Sequence, residues 1–200
     1  TLFIDAAGQF SLANAIAVAT SARNVILLGD QMQLSQPVQG THPGNCGRSC
    51  LEHLLGEHAT VPPDRGVFLE TTRRLHPSVC GFISEAFYEG KLQSLAGLEN
   101  QEILPGSGPG PAWLKKEAGL LFIPVSHEGN SQASDEEADA IAQIAADLLR
   151  CTFTDSEGKT RPVTLDDLLF VAPYNMQVRK LKDRLGEQAR VGSVDRFQGQ

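Results

Sequence analysis

Residues 25–37 read Val-Ile-Leu-Leu-Gly-Asp-Gln-Met-Gln-Leu-Ser-Gln-Pro. Four consecutive apolar residues, Val25 to Leu28, lie between Asn24 and the Gly29-Asp30 break. So short and so apolar a run predicts a strand buried on both faces of a parallel sheet. Beyond the break the chain turns polar, with Gln31, Gln33, Ser35 and Gln36. A buried strand that delivers a carboxylate and amides at its carboxyl end is where α/β proteins place ligands.

The same grammar repeats outward from this stretch. Leu2 to Ile4 predict a strand ending at Asp5, and residues 11–21 a helix capped by Ser11. A loop over 38–47, broken by Gly40, Pro43, Gly44 and Gly47, leads to a short helix capped by Ser49. Val61-Pro62-Pro63-Asp64 breaks the pattern, so residues 1–62 and 63–200 read as two lobes. The second lobe has apolar runs at 67–71, 120–125, 168–172 and 191–194, read as strands. A helix opens at Pro77, where proline suits a first turn, with Val79, Phe82, Ile83 and Phe87 facing inward. Another spans 135–149 behind a Ser134/Glu137 capping box, and a third 175–185. Residues 152–161 read as a hydrophilic loop. Strands alternating with helices predict an α/β fold of parallel sheets with right-handed crossovers.

Composition bounds the function. The 200 residues are 41% hydrophobic and 20% charged, as in a globular protein. There is no apolar run near the roughly 18 residues of a membrane span and no secretion signal. The chain opens on an apolar strand without Met, which suggests an internal fragment. A net charge of −7 argues against a protein that coats nucleic acid, though not against a narrow channel contacting one strand. The four cysteines are unevenly spaced and read as reduced thiols of a cytoplasmic protein. The run His42, Cys46, Cys50, His53 has zinc-ligand residue types, but its spacing fits no known zinc pattern and it reads as no metal site.

Five short motifs carry chemistry. Phe3-Ile4-Asp5 puts a carboxylate at a strand end, where phosphate-binding α/β proteins hold Mg²⁺. Gly29-Asp30-Gln31-Met32-Gln33-Leu34 offers an amide able to read a phosphate or orient a water. Thr71-Thr72-Arg73-Arg74-Leu75-His76-Pro77 places two arginines, the residue suited to bidentate phosphate contact, before a helix. Val171-Ala172-Pro173-Tyr174-Asn175 presents an aromatic and an amide, and Val191 to Gln200 ends in Asp-Arg-Phe-Gln-Gly-Gln. Each alone is an ordinary turn or cap.

In this order, the five resemble the motifs of superfamily 1 helicases of the Upf-like/Dna2-like branch. Phe82 to Leu92, FISEAFYEGKL, is similar to the segment that follows that branch's arginine motif. The resemblance extends to bacterial proteins that join a RecB-like nuclease region to such a helicase. It implies a RecA-like P-loop NTPase fold, the end of one lobe and most of a second. It implies an ATP-dependent helicase that moves along a single strand, DNA before RNA, in the 5′ to 3′ direction. ATP and Mg²⁺ are the implied cofactors, no membrane is involved, and any nuclease region is expected upstream. On this resemblance Asp5 organises Mg²⁺, Gln9 and Arg73 fall at the nucleotide, Gln33 links the γ-phosphate to the strand track, and Arg74 reaches the γ-phosphate. Pro37, Pro173, Tyr174, Asn175 and Ser193 face the nucleic acid, and Gln198 and Gly199 couple nucleotide to strand.

The chain departs from the family in three places. Ala6 stands where the family has the Glu that activates the attacking water. Thr72-Arg73 replaces Gln-Tyr. No Gly-x-x-x-x-Gly-Lys-[Ser/Thr] occurs, so the phosphate-cradling loop is expected before residue 1 and these 200 residues alone are expected not to turn over ATP. The alternative is a RecA-like interaction module that has lost its chemistry, which Ala6 favours.

Overall fold

The strand read from Leu2 to Ile4 is β1 (Leu2–Ile4), and the apolar run of the opening stretch is β2 (Val25–Leu27). In the computed structural model, which describes residues 1–35, 40 and 42–197, the two pair in parallel, Leu2 opposite Val25 and Ile4 opposite Leu27. Pro37, Gln198 and Gly199 lie outside the described residues. The chain divides into two units, one of Thr1–Thr71 with Gly81–Gln93, the other of Thr72–Cys80 with Ser94–Gln200.

In the first unit, α1 (Leu12–Ala19) joins β1 to β2, and its Ser11 cap accepts the Asn14 N–H. α2 (Cys50–Leu55) opens on Ser49, whose hydroxyl accepts the Glu52 N–H at 3.0 Å. Backbone bonds from Cys50 N to Phe10 O and from Leu12 N to Arg48 O staple the two helix starts together. Ile4, Ala7, Ala15 and Cys50 form the core, with Leu12 and Leu27 against it. The expectation that β2 is buried on both faces does not hold. Val25 and Ile26 are 40% and 42% exposed and Phe3 is 62% exposed. Among the described residues the sheet has two strands, and Ile4 alone of its strand positions is buried.

β3 (Thr71–Thr72) pairs with β4 (Gln93–Ser94), and between them runs α3 (Pro77–Phe87). The strand expected at 67–71 is therefore reduced to its last residue and one beyond, with Val67 and Leu69 more than 80% exposed. The helix begins at Pro77 as read, but its buried positions are Cys80 and Ser84, while Phe82 and Phe87 face solvent. A buried Ser84 is tolerated because its hydroxyl accepts the Leu92 N–H at 2.9 Å. Glu89 and Gly90, at φ 55° and 73°, end the helix in the left-handed region.

The second unit contains an antiparallel sheet the sequence did not announce. β5 (Glu102–Leu104), β6 (Thr152–Thr154) and β7 (Thr160–Pro162) lie in that order, with Ile103 opposite Phe153 and Phe153 opposite Arg161. The stretch read as a loop is thus a hairpin. Its turn is set by the Asp155 carboxylate, which accepts the N–H groups of Glu157 and Lys159, and by Gly158 at φ 80°. The strand expected at 120–125 does not form, and Phe122 is 91% exposed.

α4 (Asp135–Leu148) follows its Ser134 cap, which accepts the Glu137 N–H at 3.1 Å. The reciprocal half of the expected capping box is absent, because the Ser134 N–H donates to the Gln177 side chain instead. β8 (Leu169–Val171), α5 (Asn175–Leu185) and β9 (Arg190–Gly192) form a parallel βαβ unit, Phe170 opposite Val191, followed by α6 (Val194–Phe197). Leu181 and Val191, each 1% exposed, centre the core with Ala138, Ala172 and Ala189. Burying Leu181 contributes roughly 2–3 kcal/mol. Lys180 and Arg184 reach across to Asp135 and Asp139 on α4. The fold class is mixed α/β, with parallel pairs beside an antiparallel sheet. No helix among the described residues is long and apolar enough to cross a membrane.

Candidate functional site

In the first unit the two strand-tip loops are built against each other. A Cβ on Gly8 would lie 2.2 Å from the Asp30 carbonyl oxygen, and one on Gly29 2.7 Å from the Ala7 nitrogen. Only glycine at both positions allows this approach. Ala7 donates its N–H to Leu28 O at 2.8 Å, and Gln9 N–H closes a turn onto Ala6 O. Asp5 is exposed at the end of β1, its Oδ1 accepting the N–H of Ala6, which has φ 51°. Gln9 does not stand free, because its amide donates to Leu34 O at 3.1 Å. Gln31 is tied by its amide to the carbonyls of His58 and Ala59.

The hub of the second loop is Asp30. Its Oδ1 accepts the Met32 N–H at 2.9 Å, and its Oδ2 accepts both the Gln33 amide at 3.1 Å and the Tyr88 hydroxyl at 2.6 Å. The expected phosphate-reading amide thus rests on a carboxylate of its own loop. Burial, with the Asp30 carboxylate beside it, pushes the Tyr88 phenol well above its ordinary range. Sequence reasoning noted Asp30 as the carboxylate at the strand's carboxyl end but gave it no partner, and it missed Tyr88, although FISEAFYEGKL was singled out. A bond between residues 58 apart leaves no local pattern.

The remaining site residues belong to the second unit. Arg73 and Arg74 are exposed, and among the described residues neither guanidinium has a hydrogen-bond or ion-pair partner. Their backbone is held, with Arg74 N–H on Thr72 Oγ1 and the Ser94 hydroxyl on Leu75 O. His76, also missed, closes the loop by accepting the Ser78 N–H on Nδ1 at 3.1 Å, as an N-cap side chain does. At the other end of the unit, Pro173, Tyr174 and Asn175 leave β8 and Ser193 leaves the adjacent β9. Ala172 N–H on Gly192 O, at 3.1 Å, joins the two tips. Tyr174 is half exposed at the N-cap of α5 and caps nothing with its side chain. Arg196 crosses over Gly192, where a Cβ would lie 2.6 Å from its side chain, and donates to Val191 O.

These groups suit a nucleotide phosphate and its cation only in part. Mg²⁺ keeps most of its ligands as water and phosphate oxygen and takes one or two protein carboxylates. Asp5, exposed at its strand end, fits that demand, and no cluster of three or more acidic, His or Cys ligands occurs among the described residues.

A family model described as AAA domain matches residues 46–200. The chain belongs to that family. Human 3'-5' exoribonuclease HELZ2 is 30% identical over 89% of this chain and 6% of its own length. The Regulator of nonsense transcripts 1 homolog of Drosophila melanogaster is 26% identical over 92% of the chain and 16% of its own length. ATP-dependent helicase upf1 of Schizosaccharomyces pombe is 26% identical over 100% of the chain and 22% of its own length. The AAA-domain chain is thus similar to superfamily 1 helicases of the Upf1-like kind, as its motifs imply, and it spans less than a quarter of each of these relatives.

Proposed function

We propose that this AAA-domain chain is part of an ATP-dependent helicase or translocase that couples ATP hydrolysis to movement along a single strand. Residues 1–62 would be the end of one RecA-like lobe and residues 63–200 most of a second. One observation carries the reading. In each parallel pair, β1 with β2 and β8 with β9, two expected motifs leave the carboxyl ends of adjacent strands. That is the position at which open α/β sheets hold ligands.

Bound ATP with Mg²⁺ would supply the phosphoryl transfer that drives motion. Asp5 would hold the cation, Gln9 would support the nucleotide through the loop it ties, and Gln33 would face the γ-phosphate. Arg74, with Arg73 beside it, would neutralise charge as the phosphoryl group leaves. Pro173, Tyr174, Asn175 and Ser193 would meet the strand's backbone, with Pro37 on the track and Gln198 and Gly199 coupling the two ligands. The names of the relatives bring RNA in beside the DNA expected from the sequence, since one is an exoribonuclease and another a regulator of transcripts. A second reading, a RecA-like interaction module without ATPase activity, is favoured by Ala6, which offers the attacking water no base.

The full protein carrying this chain decides between them. Its ATPase is measured with single-stranded DNA or RNA, as it stands and as Ala6→Glu and Arg74→Ala. The helicase reading expects strand-stimulated turnover that Arg74→Ala lowers about 10³-fold. Turnover that survives loss of Arg74 refutes it. Turnover that appears only with Ala6→Glu establishes the second reading.

A further inference from the structure

Three donors meet the Asp30 carboxylate, and they are not equivalent. Met32 N–H and the Gln33 amide come from the same loop, at 2.9 and 3.1 Å. Tyr88 comes from just beyond α3, and its 2.6 Å bond has the length of a charge-assisted O–H···O⁻ contact. The Tyr88 ring is half buried against Phe68, with centroids 6.0 Å apart. With its phenol pushed upward, Tyr88 is a donor throughout the physiological range. The Asp30 backbone is fixed from the other side by Gly8. Gln33 is exposed, so of the two side-chain donors on Oδ2 it is the one that can leave.

We propose that Tyr88 is a positioning residue for Gln33, holding Asp30 satisfied so that the Gln33 amide can transfer from Asp30 to a γ-phosphate oxygen. The role rests on the reading of Gln33 as a γ-phosphate contact. With the hydroxyl in place, Oδ2 keeps a strong donor after Gln33 departs. Without it, departure strips Oδ2 of its last side-chain donor, and a carboxylate left short of partners is costly. Gln33 then stays on Asp30 and the γ-phosphate loses its contact. ADP, which has no γ-phosphate, is unaffected.

The test is the ratio of affinities for a non-hydrolysable ATP analogue, adenylyl imidodiphosphate, and for ADP, measured by calorimetry on the full protein. It needs no turnover, so Ala6 does not enter. Gln33→Ala lowers the preference for the triphosphate about tenfold and Tyr88→Phe about fivefold. The double variant is no worse than Gln33→Ala, because Tyr88 acts only through Gln33. Asp30→Asn weakens the hold on Gln33 and raises the preference. A ratio untouched by Gln33→Ala overturns the γ-phosphate reading and this role with it. If Gln33→Ala lowers the ratio while Tyr88→Phe leaves it unchanged, weakens both nucleotides equally or adds to Gln33→Ala, the role of Tyr88 alone is overturned. Should Tyr88→Phe fail to fold, a ratio that Asp30→Asn does not raise overturns it.

Discussion

Gly8→Ala and Gly81→Ala are the same substitution in opposite surroundings. A Cβ at Gly8 would stand 2.2 Å from the carbonyl oxygen of Asp30 and 2.8 Å from its carbon. Neither atom is the free end of a side chain, so one loop must retreat by about 1 Å to restore ordinary contact. A shift of that size, in whichever direction, takes the 2.6 Å Tyr88–Asp30 contact out of hydrogen-bond geometry. Overpacking costs about 1–3 kcal/mol and the lost charged hydrogen bond about 1.5–3 kcal/mol. Together these give a loss of roughly 2.5–6 kcal/mol. At Gly81, inside α3, a Cβ meets nothing within 4 Å. Alanine there should stabilise by about 0.5–1 kcal/mol through helix propensity alone. Urea denaturation of the protein carrying this chain, followed by circular dichroism, reads both. If Gly8→Ala unfolds within about 0.5 kcal/mol of the parent, the loops are not held by that contact and the reasoning fails.

Other outcomes follow from single features of the two units. Leu181→Ala empties the centre of the second core and should cost about 2–5 kcal/mol in the same denaturation measurement. Ser49→Ala removes the acceptor of the Glu52 N–H and should cost about 1 kcal/mol, while Ser49→Asp keeps the cap and most of the stability. Asp167, held low chiefly by its hydrogen bonds to Arg161, and Asp155, held low by turn N–H groups, bind protons more weakly folded than unfolded. Their stabilisation is complete above the ordinary carboxylate range near pH 4 and is lost as pH falls through the lower folded values. Thermal melts should therefore fall steeply below about pH 4, and less steeply for Asp167→Asn. The Tyr88 phenol is shifted the other way, so its contribution is complete below its ordinary value of 10.0 and is lost above it, a loss absent from Tyr88→Phe.

Helices were legible because their signals are local. Asn175–Leu185 has the bounds its periodicity predicts, and α1, α2 and α4 start where a serine can cap them. Strands were not, because a short apolar run says nothing of its partner. The runs at 67–69 and 120–123 are as apolar as β2, yet their residues stand outside any strand. The hairpin of β6 and β7 was hidden by threonines and by a charged turn whose Asp155 folds it through backbone contacts. Of the expected site residues, Asp5 and Gln33 follow the strands after which the sequence placed them. Tyr88 could not, since its partner is 58 residues away. Finding His76 from sequence requires treating a histidine before Pro77 as a cap, a role usually given to Ser, Thr, Asp or Asn.

Ala6 shows how a loop can keep its shape without its chemistry. At φ 51° it occupies a region that costs a non-glycine residue about 1–2 kcal/mol. The turn is imposed by its neighbours. Asp5 Oδ1 accepts the Ala6 N–H at 2.9 Å, Ala6 O accepts the Gln9 N–H at 2.8 Å, and Ala7 N–H is fixed on Leu28 O. None of these bonds involves the side chain at position 6, which is exposed. On the proposed function, nucleotide holding and water activation would therefore be separable in this loop. Ala6→Glu should leave the affinity for ADP within about twofold, whatever it does to turnover, since position 6 is exposed and its side chain makes none of the loop's bonds. Ala6→Gly should relieve the left-handed strain and raise the denaturation midpoint. An Ala6→Glu protein that binds ADP tenfold more weakly would mean that the side chain at position 6 shapes the loop, and that hydrolysis and binding cannot be separated there.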